Sequence, residues 1–178
     1  MIHKTAVIDS SAKISSNVKI GPYSVIGPNV EIADDTIIHS HVNISGNTII
    51  GNSCLIGTNV VIDNDCLIGN NCSFQTGAYI PTGTKIGNRV FLGPNASLTN
   101  DKSPLRTEYK PEPITIENDV TVGSNATIMP GLTLGKGAFV AGGAVVTKDV
   151  PAWHLAKGCP ATFVKLPESL KKPNRLGK

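Results

Sequence analysis

The chain has 178 residues, a formal charge of +3 and only 4% aromatic side chains. That length suits one domain, and nucleic-acid binding would need a basic stripe interleaved with aromatics, which the composition does not supply. Met1 to Val7 carries charge and no apolar run, and no segment approaches membrane-spanning length, so the expectation is a cytoplasmic protein with no signal peptide, membrane span or nucleic-acid partner.

From the first residues an aliphatic or aromatic side chain recurs every six positions, from Ile2, Ile8, Ile14 and Ile20 through Phe74 and Ile80 to Leu98, and again from Ile116 to Val146. Four residues after the beat comes a small or β-branched residue, such as Ser24, Val30, Thr36, Cys54 or Ala126, and one after it comes glycine, as at Gly21, Gly57 and Gly123. Neither a helix nor a simple strand has this period, whereas a parallel β-helix does. Three hexapeptides close one triangular coil of eighteen residues, so Ile20, Ile38 and Ile56 are expected to stack as one ladder at roughly 4.8 Å per step. Asn, Asp and Gly at the bends suit the left-handed backbone of tight turns.

Cys54, Cys66 and Cys72 occupy the inward small position and are expected to be inert, reduced core filler, whereas Cys159 lies in the tail segment Gly158-Cys159-Pro160-Ala161. The stretch Asp101 to Pro113 breaks the pattern with three prolines and mixed charge, which marks an excursion loop of the kind that carries function. Because Leu98 and Ile116 are eighteen residues apart, the loop is expected to replace about one coil. The organisation is therefore a β-helix over 1–150 with the loop at 101–113, then a cap and basic tail over 151–178. In that tail Trp153 closes the last coil, Pro167 to Lys172 form a turn or two of helix, and Lys165, Lys171, Lys172, Arg175 and Lys178 against Glu168 make a solvated basic end.

These repeats resemble the hexapeptide-repeat acyltransferases over most of the chain. The resemblance implies an all-β, left-handed parallel β-helix assembled as a homotrimer, with acetyl-CoA as co-substrate and no metal. Ile20-Gly21-Pro22-Tyr23 and Ser40-His41-Val42 are similar to the start of UDP-N-acetylglucosamine O-acyltransferases. The segments Phe74 to Pro81, Gly93-Pro94-Asn95, Leu98 to Asp101 and Val145 to Pro151 resemble the sugar-nucleotide N-acetyltransferases that act on a 3-amino group, as does Gly158-Cys159-Pro160-Ala161, although that family usually has Asn in place of Cys159. Carried over by position, the resemblance implies Asn100 and Asp101 as catalytic residues and Gln75, Thr76 and Tyr79 as acceptor contacts. For CoA it implies Gly123, Ala126, Ala141 and Gly142 along the pantetheine arm, with Lys148 and Lys157 at the phosphates.

The chemistry favours an amine acceptor, because hydroxyl-acetylating members place a histidine base in the corresponding loop and this loop has none. An alcohol needs such a base, but a sugar amine with a pKa of roughly 8 is partly neutral near pH 7 and chiefly needs positioning. A zinc site would need three gathered histidines, and His39 and His41 offer two at one bend. An O-acetyltransferase or acyltransferase acting on another small acceptor, and a non-catalytic β-helix assembly subunit, remain the alternatives. The favoured reading is an N-acetyltransferase acting on a nucleotide-linked amino sugar for surface polysaccharide synthesis.

Overall fold

Four of every six residues are spent turning a corner, so each strand of the prism is only two residues long: an outward residue followed by the inward beat, as in Val25–Ile26 or Leu55–Ile56. In the computed structural model, which describes residues 1–176, these short strands stack into three parallel sheets. The first face runs from Val7–Ile8 to Val145–Val146, the second from Lys13–Ile14 to Thr133–Leu134, and the third from Lys19–Ile20 to Phe139–Val140. Ile20 pairs with Ile38 and Ile38 with Ile56, so the expected ladder forms. The beat residues fill one axial column, and from Ile20 to Val146 each is at most 5% exposed.

The small inward residues do more than fit. Ser24, Thr36 and Thr48 are buried and each donates its hydroxyl hydrogen bond to a carbonyl of the neighbouring coil, at His39, Gly51 and Asp63. Cys54 and Cys72 donate their thiols in the same way to Gly69 and Gly87. The cysteines are free, and burial pushes the Cys66 thiol up to about 11, which keeps it protonated and unreactive. Glycine after the beat is required by the spacing of the coils. A Cβ on Gly21 would lie 2.7 Å from the His39 carbonyl carbon, and one on Gly123 2.4 Å from the Gly142 nitrogen. The left-handed residues sit two positions later, with Asn29, Asn47 and Asn125 at φ near +55° and, less usually, Tyr23, Arg89 and Trp153 at φ of 55–58°.

The excursion loop corrects one expectation. Ile86 pairs with Ile116 and Leu98 with Ile128, thirty residues apart, so Leu98 and Ile116 lie on different faces and no coil is lost. The loop instead inserts twelve residues into a single corner between the first and second faces, and because twelve is two hexapeptides the beat resumes in phase. Its neck is closed by the Glu112 N–H donating to the Asn100 carbonyl at 2.8 Å, and Glu112 in turn accepts from Gly131 N–H in the next coil.

At the far end, Trp153 occupies a corner of the last coil with its ring lying against Gly137, where a Cβ would come within 2.3 Å of it. The third face then continues past Pro151 as an antiparallel hairpin, His154–Lys157 with Thr162–Lys165. The helical turn expected in the tail is the single 3₁₀ turn Glu168–Leu170. The tail beyond it is not a free solvated end. Asn174 Nδ2 donates to the carbonyls of Arg89 and Val120 at 2.9 and 3.2 Å, and its N–H donates to Asp119 Oδ1 at 3.1 Å. A charged run carries no signal for such a return, because one asparagine performs it. Lys178 lies outside the described residues.

Candidate active site along two edges of the prism

Stacking by coils places any residue directly above its counterpart one turn earlier, so a site that looks scattered in sequence can become a straight line along an edge. On the edge between the third and first faces, register aligns Gln75, Gly93, Gly123, Ala141 and Lys157 in one column, with Thr76 and Gly142 in the adjacent one. Four strand spacings separate Gln75 from Lys157, about 19 Å. Six of the predicted residues therefore share one edge. Gln75 Nε2 donates to Ser73 Oγ at 2.9 Å, which ties its side chain back to the third face, while Thr76 and Gly142 are exposed. Ala126 is fully buried and its N–H donates to Gly123, so it supports this edge from inside and offers no surface. Lys148 lies on the other edge of the first face, away from Lys157.

Asn100, Asp101 and Tyr79 gather at the corner between the first and second faces. Asn100 Nδ2 donates one N–H to the Tyr109 hydroxyl at 3.0 Å, which leaves its second N–H and its amide carbonyl oxygen to face a ligand. Asp101 Oδ1 accepts from Ser103 N–H at 2.8 Å, an Asx turn that fixes the carboxylate at the loop's entry and leaves Oδ2 open. Tyr79 projects from the first face and donates its hydroxyl to Asp63 Oδ2 at 2.7 Å. Burial pushes the phenol's pKa up, the Asp63 carboxylate adds to the effect and Tyr109 contributes further, so the hydroxyl keeps its proton at any physiological pH. Lys102 pairs with Glu112 at 2.5 Å across the loop neck.

Asp63 and Tyr109 were not singled out by sequence. Asp63 precedes Tyr79 by 16 residues, two short of a coil, so it sits one turn below and one corner along, an offset with no periodic signal. Tyr109 had one available cue, being the only aromatic in the excursion loop.

The histidines are elsewhere. His39 is exposed and, with His3, Lys19 and Gly21, lines a concavity of about 500 Å³ on the N-terminal coils. The His41 ring stacks on Tyr23 with centroids 5.1 Å apart, and His154 contacts the Ala152 carbonyl. Among the described residues no group of three or more metal-ligating side chains is gathered, and no helix is long and apolar enough to cross a membrane.

The family profile for the bacterial transferase hexapeptide (six repeats) matches residues 1–34, 11–46, 47–82 and 65–100, and that for the hexapeptide repeat of succinyl-transferase matches 113–148. The chain belongs to the bacterial transferase hexapeptide family. Among relatives of this hexapeptide protein, the Staphylococcus aureus 2,3,4,5-tetrahydropyridine-2,6-dicarboxylate N-acetyltransferase is 43% identical over 79 residues, 44% of this chain. The matching stretch spans only 31% of that enzyme's length. The UDP-N-acetylglucosamine acyltransferase LpxA of Bacteroides fragilis shares the fold, with a TM-score of 0.67 at 23% identity, covering 92% of this chain and 74% of that one. LpxA of Acinetobacter baumannii superposes with a TM-score of 0.51 at 28% identity over 92% of this chain and 73% of that one.

Proposed function

We propose that this hexapeptide protein is an acetyl-CoA-dependent N-acetyltransferase whose acceptor is the amino group of a nucleotide-linked amino sugar, the 3-amino position favoured, in surface polysaccharide synthesis. The observation that carries this reading is the orientation of Asn100. One of its two amide N–H groups is held by Tyr109, which fixes the plane of the amide, and its Oδ1 is left to accept a hydrogen bond from an amine N–H. The named activity of the S. aureus relative, an N-acetyltransferase, supports an amine acceptor. The likeness to A. baumannii LpxA and the segments shared with the sugar-nucleotide enzymes support a sugar nucleotide.

In this mechanism the neutral amine, held by Asn100 Oδ1, forms its C–N bond to the acetyl carbonyl carbon of acetyl-CoA. The C–S bond breaks and CoA leaves as the thiolate. The proton lost from nitrogen passes to the Asp101 carboxylate and then to solvent or the departing thiolate. Because a sugar amine is partly neutral near pH 7, the loop supplies position and a proton acceptor, with no histidine base needed. Gly123, Ala141 and Gly142 form the bare edge along which the pantetheine arm lies, Lys157 stands at its far end, and Lys148, on the loop edge, approaches the phosphates from the facing copy. Since the bare edge and the loop corner are separated by the width of the first face, donor and acceptor meet when the edge of one copy faces the loop corner of another, in a homotrimer.

Thiol release from acetyl-CoA, measured against 3-amino and 4-amino nucleotide sugars, hydroxyl sugars and an amino dicarboxylate, tests this directly. Turnover on an amino sugar that collapses in Asn100→Ala is the expected result. Turnover confined to a hydroxyl acceptor or to the dicarboxylate overturns the acceptor class, and absence of CoA binding overturns the enzyme reading itself.

A further inference from the structure

The edge between the second and third faces, the one not used by the proposed acyl-transfer site, holds a cavity of about 790 Å³ between the corner residues Asn71 and Arg89 and the returning tail at Lys172, Asn174 and Arg175. Its charges are unbalanced. Asp119, with a side chain only 1% exposed, accepts from Arg89 Nε at 2.7 Å and from Nη2 at 2.9 Å, and also from Asn174 N–H. That bidentate pair fixes the plane of the guanidinium while engaging two of its five N–H groups, so a pre-set donor edge remains. Among the described residues Lys172 and Arg175 have no carboxylate within ion-pair distance, whereas the neighbouring Lys171 is paired with Glu168. Two uncompensated cations and a half-used arginine thus share one cavity, and Asp119 has no charge to spare for them.

We infer that this cavity binds a free phosphate-class anion, inorganic phosphate or pyrophosphate, between Arg89 on the corner and Lys172 and Arg175 on the tail. A planar, oriented guanidinium is matched to phosphate oxygens, and the two tail cations across the cavity from it complete the cage. Repulsion between Lys172, Arg175 and Arg89 resists docking of the tail, and a dianion converts it into attraction. The occupied site therefore pins residues 171–176 to the prism. Its position on a separate edge makes it independent of the acyl donor.

Limited trypsin digestion of the intact full chain tests this, followed by mass spectrometry at constant ionic strength with sodium pyrophosphate exchanged for sodium chloride. The sensitive bonds are Lys171–Lys172 and Arg175–Leu176, while Arg106–Thr107 in the excursion loop serves as the internal control. Near ten times the dissociation constant, cleavage of the tail bonds should slow about tenfold with the loop bond unchanged. Lys172→Gln should abolish the protection, and Arg175→Gln, read at the Lys171 bond, should do the same. Equal protection by chloride, protection that survives Lys172→Gln, or displacement of pyrophosphate by saturating CoA would each overturn the inference, the last by assigning the cavity to the donor.

Discussion

Two edges of this prism flank the first face and are built from the same hexapeptide, yet they do opposite things with it. The edge shared with the third face is never interrupted, and between Gln75 and Lys157 its column narrows to Gly93, Gly123 and Ala141, the two glycines lying where the coil above leaves no room for a Cβ. The edge shared with the second face is broken once, by twelve residues, and there the side chains Asn100, Asp101, Tyr79 and Tyr109 collect. The scaffold can present backbone along an edge from the repeat alone. To present converging side chains it must leave the repeat, because stacked positions point in parallel.

The sharpest way to break the comparison is to restore the second edge. Excising Asp101 to Glu112 joins Asn100 to Pro113 and puts Leu98 and Ile116 six positions apart. Pro113 would then fall at the left-handed position occupied by Gly83 and Gly131, with φ of 77° and 73°, so the excision is made together with Pro113→Gly. The shortened chain is expected to fold with its melting temperature little changed and to lose acetyl transfer by about 10³-fold or more, since positioning of the amine goes with the loop. Loss of folding, seen by circular dichroism, would mean that the loop belongs to the scaffold and that the two edges are not separable.

The scaffold side is tested from within. Phe74 stands where other coils have isoleucine, leucine or valine and is fully buried. Phe74→Ala should cost about 3–5 kcal/mol of stability in chemical denaturation through lost burial and the cavity left behind. Gly123→Ala tests the bare edge more finely. Its new Cβ meets the Gly142 nitrogen at 2.4 Å, backbone against backbone, so the coils must part and stability should fall by about 1–3 kcal/mol. A neutral outcome would show that the bareness of this edge is not imposed by coil spacing.

What could be read in the sequence follows the same division. The three-sided parallel solenoid and its inward column repeat at a fixed interval, so one coil predicts the next, and the loop is visible because it breaks that interval. The contacts that escaped have no interval. The Tyr79 hydroxyl donates to Asp63 across 16 residues and the Asn174 N–H donates to Asp119 across 55, each a single contact. The register across the loop was misread because length alone does not distinguish an inserted pair of hexapeptides from a replaced coil. The decisive fact is that Ile116 follows Ile86 in its ladder.

The smallest expected effect concerns the third edge, where the tail clasp depends on one carboxylate. Burial alone would raise the pKa of Asp119, but the two bonds from Arg89 and the Asn174 N–H outweigh it and hold the group below its ordinary value of 3.8. A carboxyl depressed in the folded chain contributes its stability fully at pH values above the unfolded value. That contribution fades as the pH falls through the lower folded value. The Asn174 clasp should therefore hold from neutral pH down to about pH 4 and release below it, followed through the Asn174 side-chain amide resonance. Asp119→Asn should shift that resonance and remove its pH dependence, while Asn174→Ala, which keeps the backbone N–H to Asp119 and loses only the two carbonyl contacts, should loosen the tail by about 1 kcal/mol. A clasp that persists to acid pH in the native chain would show that the two carbonyl contacts to Arg89 and Val120, and not the buried charge, fasten the tail.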